Sequence, residues 1–139
     1  MSFERDLQKG AVAELAVRRW ADSAGFYSQA SVGRNPAWDV LLRASIEVKT
    51  DFRASTTGNF FIETHSHGKP SGISISQATT YALCTGTDGY FVGVELLKSF
   101  LGQLAERYVA DGQKTGRLLP IRVLKTLPHL AVNLGAQLE

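Results

Sequence analysis

Apolar residues near the start of the chain recur at helical spacing. Four of them follow one another at four-residue steps: Phe3, Leu7, Ala11 and Leu15. This step keeps the side chains near one side of an α-helix. No proline interrupts the stretch, and Gly25 provides a stop signal. The pattern therefore predicts a long helix from Phe3 to about Ser23.

Short segments rich in β-branched and apolar residues follow. Three of them predict strands: Ala37 to Arg43, Ser45 to Thr50 and Asn59 to Thr64. The GKPSG segment from Gly68 to Gly72 predicts a turn. After this turn, Ser74 or Ser76 is suited to cap a second helix that ends near Cys84.

The second half of the chain predicts three further elements. They are a strand from Tyr90 to Val94, a helix from Glu95 to about Ala110 and a strand from Arg117 to Thr126. The resulting order is helix, three strands, helix, strand, helix and strand. This order predicts one mixed α/β domain over residues 1–139, in which the first three strands form a meander and helices pack on a central sheet.

Composition narrows the class of protein. The 15 basic and 13 acidic residues give a net charge of +2, which permits a nucleic-acid partner without demanding one. The single cysteine, Cys84, excludes an internal disulfide and predicts a small buried side chain. No apolar run approaches a membrane span and the first ten residues are rich in charge, so we expect a cytoplasmic protein with no membrane partner. No GxxxxGK[ST] loop is present, so no nucleotide cofactor is expected.

The most informative segment reads NPAWDVLLRASIEVKTD. In a strand, Glu47 and Lys49 share one face, about 7 Å apart. Ile46 and Val48 share the other face and are expected to face the core. Asp39 lies near the start of the preceding strand candidate. If these two strands pair as neighbours, two carboxylates and an ammonium group converge on one small volume.

Such a cluster is suited to metal-assisted hydrolysis. Two close carboxylates stay ionised beside a hard divalent cation or a lysine. Mg²⁺ fits because it takes few protein carboxylates and fills its other positions with water and phosphate oxygens. A lysine beside the metal orients the attacking water and offsets the charge on the phosphate. The alternative interpretation is an exposed glutamate–lysine pair on a solvated strand face.

These residues resemble the motif of the PD-(D/E)XK nuclease superfamily, an acidic residue followed on the next strand by Glu-X-Lys. Here the motif reads Asp39, then Glu47, Val48 and Lys49. Asn35-Pro36 lies upstream of the aspartate, where the family pattern has a proline directly before it. The resemblance implies that Asp39, Glu47 and the backbone carbonyl of Val48 hold Mg²⁺ or Mn²⁺. It also implies that Lys49 positions the attacking water.

Glu14 lies among the apolar residues of the predicted first helix. In Holliday-junction-resolvase-like members of the superfamily, a glutamate on the opening helix points into the metal site. The resemblance therefore implies that Glu14 supports the metal or a second ion. The alternative is an ion pair between Glu14 and Arg18, one helical turn later.

Gln77 and Tyr81 lie four residues apart on the predicted second helix, and therefore on one face. They resemble the Gln-X-X-X-Tyr motif of the lambda-exonuclease-like branch, which implies a catalytic role for both. The alternative is a Tyr81 that packs in the core beside an exposed Gln77. Residues 57–72, TGNFFIETHSHGKPSG, further resemble small phage-type nucleases of the superfamily.

Polar residues on the third strand candidate and in the loops complete the candidate site. Glu63 shares the face of Phe61. It is a further metal ligand if that face also carries the motif carboxylates, and otherwise a surface charge. His65 and His67 form a candidate metal pair, although we favour solvated histidines or phosphate contacts. Three basic residues are candidates for DNA phosphate contacts, each with a solvated charge as the alternative: Lys69, Arg53 and Arg34.

The resemblance implies a restriction-endonuclease-like core and a metal-dependent DNA nuclease. Water would attack directly and leave a 5′-phosphate and a 3′-hydroxyl. We expect an endonuclease or resolvase in DNA repair or recombination, in preference to an exonuclease, and a homodimer if two cuts occur at fixed spacing. Two alternatives remain. One is a non-catalytic nucleic-acid-binding or assembly module on the same fold, and the other is an α/β enzyme that uses Asp39 and Glu47 as an acid/base pair.

Overall fold

A computed structural model of the chain describes residues 3–33, 37–109 and 113–135. Within these ranges the strands in chain order are β1 (Tyr27–Ala30), β2 (Val40–Arg43), β3 (Ile46–Thr50), β4 (Asn59–Ser66), β5 (Lys69–Pro70), β6 (Thr80–Cys84), β7 (Asp88–Gly93), β8 (Ala105–Val109), β9 (Lys114–Pro120) and β10 (Leu130–Asn133). The helices are α1 (Phe3–Ser23), α2 (Ala54–Thr57), α3 (Val94–Phe100) and α4 (Ile121–Leu124). The predicted mixed α/β class is confirmed.

Helix α1 spans the predicted range, but its apolar residues do not form the buried stripe that the spacing predicts. Leu7 and Leu15 are exposed, whereas Ala21 and the following Ala24 are fully buried. Gly25, at a φ of 90°, then leads the chain into β1. Helix α1 is thus anchored to the fold at its C-terminal end. None of the helices in the described ranges is both long and apolar enough to span a bilayer.

The strands in the described ranges form three sheets. Strands β1 and β2 pair as an antiparallel ribbon. The central sheet has the order β10-β7-β6-β3, in which β3 runs parallel to β6 and the other neighbours are antiparallel. An antiparallel second sheet has the order β5-β4-β9-β8.

The predicted meander of the first three strand candidates is wrong. Strand β2 pairs with β1, β3 pairs with β6, and β4 pairs with β9 and β5. The reason lies in β6, which is buried at all five positions. A strand buried on both faces lies inside a sheet and needs a neighbour on each side. Strands β3 and β7 are these neighbours.

The predicted second helix, from Ser74 or Ser76 to Cys84, is also wrong. The segment begins with a short 3-10 turn at Gly72–Ser74, continues as a loop and ends as β6. A short apolar run is compatible with a buried helix or a buried strand, and periodicity does not separate the two. Burial of every side chain from Thr80 to Cys84 favours the strand, since a surface helix of this length would expose one side.

Two further elements differ from the prediction. Helix α3 ends at Phe100, a 3-10 turn follows, and β8 takes the place of the predicted last helical turns. The predicted late strand begins earlier, as β9, and stops at Pro120. Proline lacks a backbone donor and suits the start of a helix, which explains why α4 begins at Ile121. The predicted end of the third helix at Ala110 lies outside the described residues.

The hydrophobic core lies between the two four-stranded sheets. Its largest members come from β4, β6, β7 and β9: Phe60, Ile62, Tyr81, Leu83, Val92 and Leu119. Cys84 lies in β6 and is 5% exposed, so the prediction of a small buried side chain is confirmed. Burial raises the pKa of its thiol, which disfavours the reactive thiolate at neutral pH.

The turn between β4 and β5 offers a stability test of the fold. It consists of His67 and Gly68, whose φ angles of 52° and 76° are those of a type I′ turn. Such turns prefer Asn-Gly and disfavour β-branched residues. We expect His67→Asn to raise the free energy of unfolding by about 0.5 kcal/mol. We expect His67→Val to lower it by about 1 kcal/mol or more. Urea unfolding measures both, and equal midpoints for the two variants would contradict the turn.

Candidate functional site

Strand β3 presents Glu47 and Lys49 at one edge of the central sheet. The register pairs Glu47 with the buried Tyr81, so this face of β3 is turned toward the core side. Ile46 and Val48 lie on the opposite face and are 46% and 63% exposed. The predicted alternation is confirmed, but the prediction that Ile46 and Val48 face the core is wrong. The glutamate and the lysine instead face the second sheet.

The Glu47 carboxylate has two polar partners. Lys49 Nζ lies 2.8 Å from Glu47 Oε2, and Ser76 Oγ donates a hydrogen bond to Glu47 Oε1 at 3.1 Å. The hydrogen bond from Lys49 is the main cause that holds the pKa of Glu47 below its ordinary value, against the opposing effect of burial. Glu47 is therefore a carboxylate at neutral pH. The side chains of Lys49 and Glu47 are 48% and 35% exposed, so a ligand has access to both.

A second ion pair lies across from the first. Glu63, on β4, is 3.2 Å from the ammonium of Lys114, on β9. Burial alone would raise the pKa of Glu63, but the nearby Ser71 hydroxyl and the ammonium groups of Lys114 and Lys49 outweigh it and lower the pKa. Glu63 is therefore ionised at neutral pH. The charge of Lys49 acts on both carboxylates, Glu47 and Glu63.

These groups border a cleft of about 260 Å³. Its polar lining consists of Lys49, Thr50, Asp51, Glu63, Tyr81 and Lys114. Glu47 adjoins this cleft through its contact with Lys49. Glu47 and Glu63 each have an ammonium group as a neighbour, whereas the Asp51 carboxylate accepts a hydrogen bond from the backbone N–H of Arg53. Such an arrangement is suited to a ligand that carries both a cation and an anion.

Tyr81 forms the floor of this cleft. The residue is 2% exposed, and the Lys49 ammonium lies 6.0 Å from the centre of its ring. Burial, together with the negative charge of Glu47, raises the pKa of Tyr81 to about 12. Its hydroxyl is buried near the Glu47 carboxylate and that of Ser71 near the Glu63 carboxylate, and each lowers the pKa of its carboxylate although neither meets the geometry of a full hydrogen bond.

The raised pKa of Tyr81 predicts a pH dependence of stability. The unfolded state ionises near pH 10 and the folded state near pH 12. The stabilising contribution is therefore complete below pH 10 and is lost as the pH rises toward 12. We expect the free energy of unfolding of Tyr81→Phe to fall less than that of the native chain over this interval. Urea unfolding at a series of pH values measures the difference, and parallel curves would contradict the prediction.

Asp39 and Glu14 do not join this cluster. Asp39 is exposed in the segment before β2, where its backbone carbonyl accepts a hydrogen bond from Ser31. The expected juxtaposition with Glu47 is wrong because β2 pairs with β1 and not with β3. Glu14 is exposed on α1, so its expected place on a buried face is also wrong. The guanidinium of Arg18, its alternative partner, donates to Ser28 at 3.3 Å.

Gln77 and Tyr81 do not share a helical face. Gln77 is exposed in the loop before β6, whereas Tyr81 is buried within β6. The predicted spacing of one helical turn is wrong because the segment is not helical. Of the two, Tyr81 lies at the cleft that Lys49 and Glu63 border.

The candidate DNA-binding residues lie at two places. His65, His67 and Lys69 are exposed around the turn between β4 and β5. Arg53 is exposed at the start of α2, where its backbone N–H donates to Asp51 Oδ1 at 2.9 Å. Arg34 lies outside the described residues. Across the parts of the chain that the structure describes, no group of three or more His, Cys, Asp or Glu side chains is arranged to hold a metal ion.

Three polar residues that contact or lie near Glu47 and Glu63 were not predicted as site residues from the sequence. Lys114 lies at the start of β9 and reaches Glu63 only because β9 pairs with β4. Ser71 and Ser76 are brought near the carboxylates by the loop that leads to β6. Ser76 was expected to cap a helix. None of the three belongs to a short motif, so nothing local in the sequence distinguishes them from other surface polar residues.

Comparisons of this chain with protein-family models, with curated proteins and with solved structures find no match. The resemblance to the PD-(D/E)XK superfamily therefore stays a prediction that rests on the short motifs quoted above. The interpretation of the site depends on its own geometry and charge.

Proposed function

We propose that this chain is a metal-dependent phosphodiesterase that acts on DNA, with Glu47, Glu63 and Lys49 at its centre. The observation that carries the proposal is the cleft where the Lys49–Glu47 contact of 2.8 Å lies near the Glu63–Lys114 contact of 3.2 Å. Three carboxylates, those of Glu47, Glu63 and Asp51, and two ammonium groups at one accessible cleft suit a reaction that needs both a cation and an anionic substrate.

The donor set fits a hard divalent cation. Glu47 and Glu63 are both ionised at neutral pH and supply the carboxylate oxygens that Mg²⁺ and Mn²⁺ prefer. Asp51 lines the same cleft and offers a further carboxylate oxygen, and Mg²⁺ commonly completes its coordination with water and substrate phosphate. The hydroxyls of Tyr81 and Ser71 lower the pKa values of Glu47 and Glu63, which keeps both carboxylates ionised for a cation.

The chain's own residues then have distinct tasks. Lys49 orients the attacking water. Its positive charge also reduces the electrostatic repulsion between the Glu47 and Glu63 carboxylates. Tyr81 stays protonated at neutral pH because its pKa is about 12, so its buried hydroxyl remains a donor beside the Glu47 carboxylate and helps to position it. Lys114 offsets the charge of the phosphate. A bound metal ion supplies Lewis-acid polarisation of the phosphodiester.

The superfamily resemblance adds finer expectations to this proposal. They are a restriction-endonuclease-like core, a 5′-phosphate product from direct attack of water, and endonuclease or resolvase action, with a homodimer for paired cuts. Asp39 and Glu14 are left out of the proposed site because neither lines the cleft, and the strand that follows Asp39 pairs with β1 and not with β3. Glu47 is kept because it contacts the lining residue Lys49. Glu63 takes the place of the second carboxylate in this proposal.

A second candidate function is a nucleic-acid-binding module without catalysis. One observation favours it, since each carboxylate already has a lysine partner. The two lysines balance the charge of Glu47 and Glu63 without a metal ion. When DNA binds, each lysine would leave its carboxylate and pair with a DNA phosphate. This function would need no metal and would tolerate the loss of Glu47.

The test is cleavage of labelled single-stranded, duplex, nicked, flap and four-way-junction DNA with Mg²⁺, Mn²⁺ or EDTA. We expect cutting with a metal ion, none with EDTA, and a 5′-phosphate on the product. Asp39→Asn serves as the matched control, and we expect it to cut at nearly the native rate. If no DNA is cut with either metal while binding persists, the nuclease proposal fails and the binding module stands.

A further inference from the structure

A second and larger cleft adjoins the proposed site. It has a volume of about 410 Å³ and lies between the end of α1, the start of α3 and the loop before β6. Its lining includes the polar or aromatic side chains of Asp22, Phe26, Tyr27, Ser76, Gln77 and Glu95. The volume is within the usual range of small-ligand sites. The proposed hydrolysis leaves this cleft without a role.

The charge of the cleft excludes a phosphate as its occupant. Among the described residues that line the cleft there is no lysine or arginine, whereas there are two carboxylates, Asp22 and Glu95, and the Glu95 carboxylate lies 3.6 Å from the ammonium of Lys98 outside the lining. One oxygen of Asp22 accepts a hydrogen bond from Ser28 at 3.3 Å, and its other oxygen has no partner in the described part of the chain. A suitable ligand therefore presents hydrogen-bond donors, such as amino groups, and no negative charge at this position.

The aromatic and amide groups of the cleft favour a planar ligand. The Phe26 ring stacks with Trp20 at a centroid distance of 6.1 Å, which holds it in place. The Tyr27 ring is 66% exposed and has a free face on which a base can stack. Gln77 is exposed, and a glutamine amide pairs with the amino and ring nitrogens of adenine. Carboxylates accept a hydrogen bond from the amino group of cytosine.

The two clefts are linked through one residue. Ser76 lines the larger cleft and donates a hydrogen bond to Glu47 Oε1 at 3.1 Å. A nucleotide whose phosphate lies at Glu47 and Lys49 therefore has a neighbouring base within reach of Gln77. The base must be unpaired, because a recess between the end of α1, the start of α3 and the loop before β6 does not admit a base together with its complementary strand.

We propose that this cleft binds an unpaired adenine or cytosine base of a DNA strand whose phosphate lies at the Glu47–Lys49 site. The inference rests on the proposed function because it assumes a DNA substrate. It adds a preference for single-stranded or extruded nucleotides whose exocyclic amino group lies beside a ring nitrogen that accepts a hydrogen bond on the Watson–Crick edge, as in adenine and cytosine but not in guanine. Thymine lacks that group and presents carbonyl oxygens to the Asp22 and Glu95 carboxylates.

The test measures binding without cleavage. Fluorescence anisotropy of labelled oligo-dC, oligo-dA, oligo-dT and an abasic strand of equal length is recorded with EDTA and again with Ca²⁺. We expect oligo-dC and oligo-dA to bind about tenfold more tightly than oligo-dT and the abasic strand. Gln77→Ala should remove the preference for oligo-dA, and Asp22→Asn the preference for oligo-dC. Tyr27→Ala should weaken binding of all strands that carry bases.

Matched variants distinguish a failure of the base-binding inference from a failure of the nuclease proposal. Tyr108→Ala removes an aromatic ring that is 61% exposed on β8, away from the cleft lining, and should change no preference. Lys49→Met should abolish cutting and retain the preference. If the native chain cuts DNA but binds all four strands equally, the base cleft is refuted and the nuclease stands. If the preference survives Gln77→Ala and Asp22→Asn, the base is read elsewhere and the inference fails.

Discussion

Replacement of Lys49 by methionine is expected to lower the rate of metal-dependent DNA cleavage at least about 10³-fold. Lys49 lies 2.8 Å from Glu47 and its charge also acts on Glu63. Without the Lys49 ammonium, the negative charges of Glu47 and Glu63 lose a positive charge that stabilises both of them. The substitution also removes the group that orients the attacking water. Methionine keeps the apolar stem above the Tyr81 ring, so the substitution tests the charge more than the packing.

Replacement of either carboxylate, Glu47 or Glu63, should also lower the rate of DNA cleavage, but by less than the replacement of Lys49. We expect Glu47→Gln and Glu63→Gln each to reduce single-turnover cleavage about 10²-fold and to raise the metal concentration required. Because the three groups act together, the combined variant should lose little more than Lys49→Met alone. Additive losses would instead indicate independent contributions to folding or to DNA binding.

Two ion-paired residues outside the cleft provide matched controls. Lys98 lies 3.6 Å from Glu95, and Glu106 lies 3.8 Å from Arg117. We expect Lys98→Met and Glu106→Gln to cleave at nearly the native rate, since neither residue lines the cleft. Each variant should unfold within about 0.5 kcal/mol of the native chain. A loss of cleavage in these controls as large as that in Lys49→Met would contradict the role of the cleft.

The central glutamate–lysine pair could be predicted because it depends on local geometry. Alternation along a strand places Glu47 and Lys49 on one face whatever the neighbours of the strand are. The apolar character of Ile46 and Val48 suggested that they face the core, yet both are exposed. The side of the sheet that faces the core is set by residues far away in the chain, including Tyr81. A local pattern therefore identifies the pair but not its direction.

Strand pairing explains why the second carboxylate was misassigned. Asp39 precedes β2, and the short connection from β2 to β3 suggested a hairpin between these strands. The buried strand β6 pairs with β3 instead, and Lys114 reaches Glu63 through the pairing of β9 with β4. These contacts join residues far apart in sequence, where short motifs and periodicity carry no information.

The link between α1 and the central sheet predicts the largest loss of stability. Gly25 has a φ of 90°, and a Cβ atom there would lie 2.5 Å from Gly93 Cα and 2.7 Å from the backbone oxygen of Thr79. Both contacts are with backbone, which moves only with the strands themselves. The backbone oxygen of Gly25 also accepts a hydrogen bond from the fully buried Thr80 at 2.7 Å. A side chain at Gly25 would therefore separate the end of α1 from β6 and β7.

We expect Gly25→Ala to lower the free energy of unfolding by about 3 kcal/mol or more. A melting temperature lower by about 10 °C should accompany this loss. Gly93→Ala should have a smaller effect, because its Cβ would meet Gly25 at 3.1 Å, where a small shift suffices. Gly10→Ala is the control, since nothing lies within 4 Å of that Cβ on α1. Alanine there should stabilise the helix by about 0.5–1 kcal/mol. Urea and thermal unfolding measure all three, and a Gly25→Ala chain as stable as Gly10→Ala would refute the contact between α1 and the central sheet.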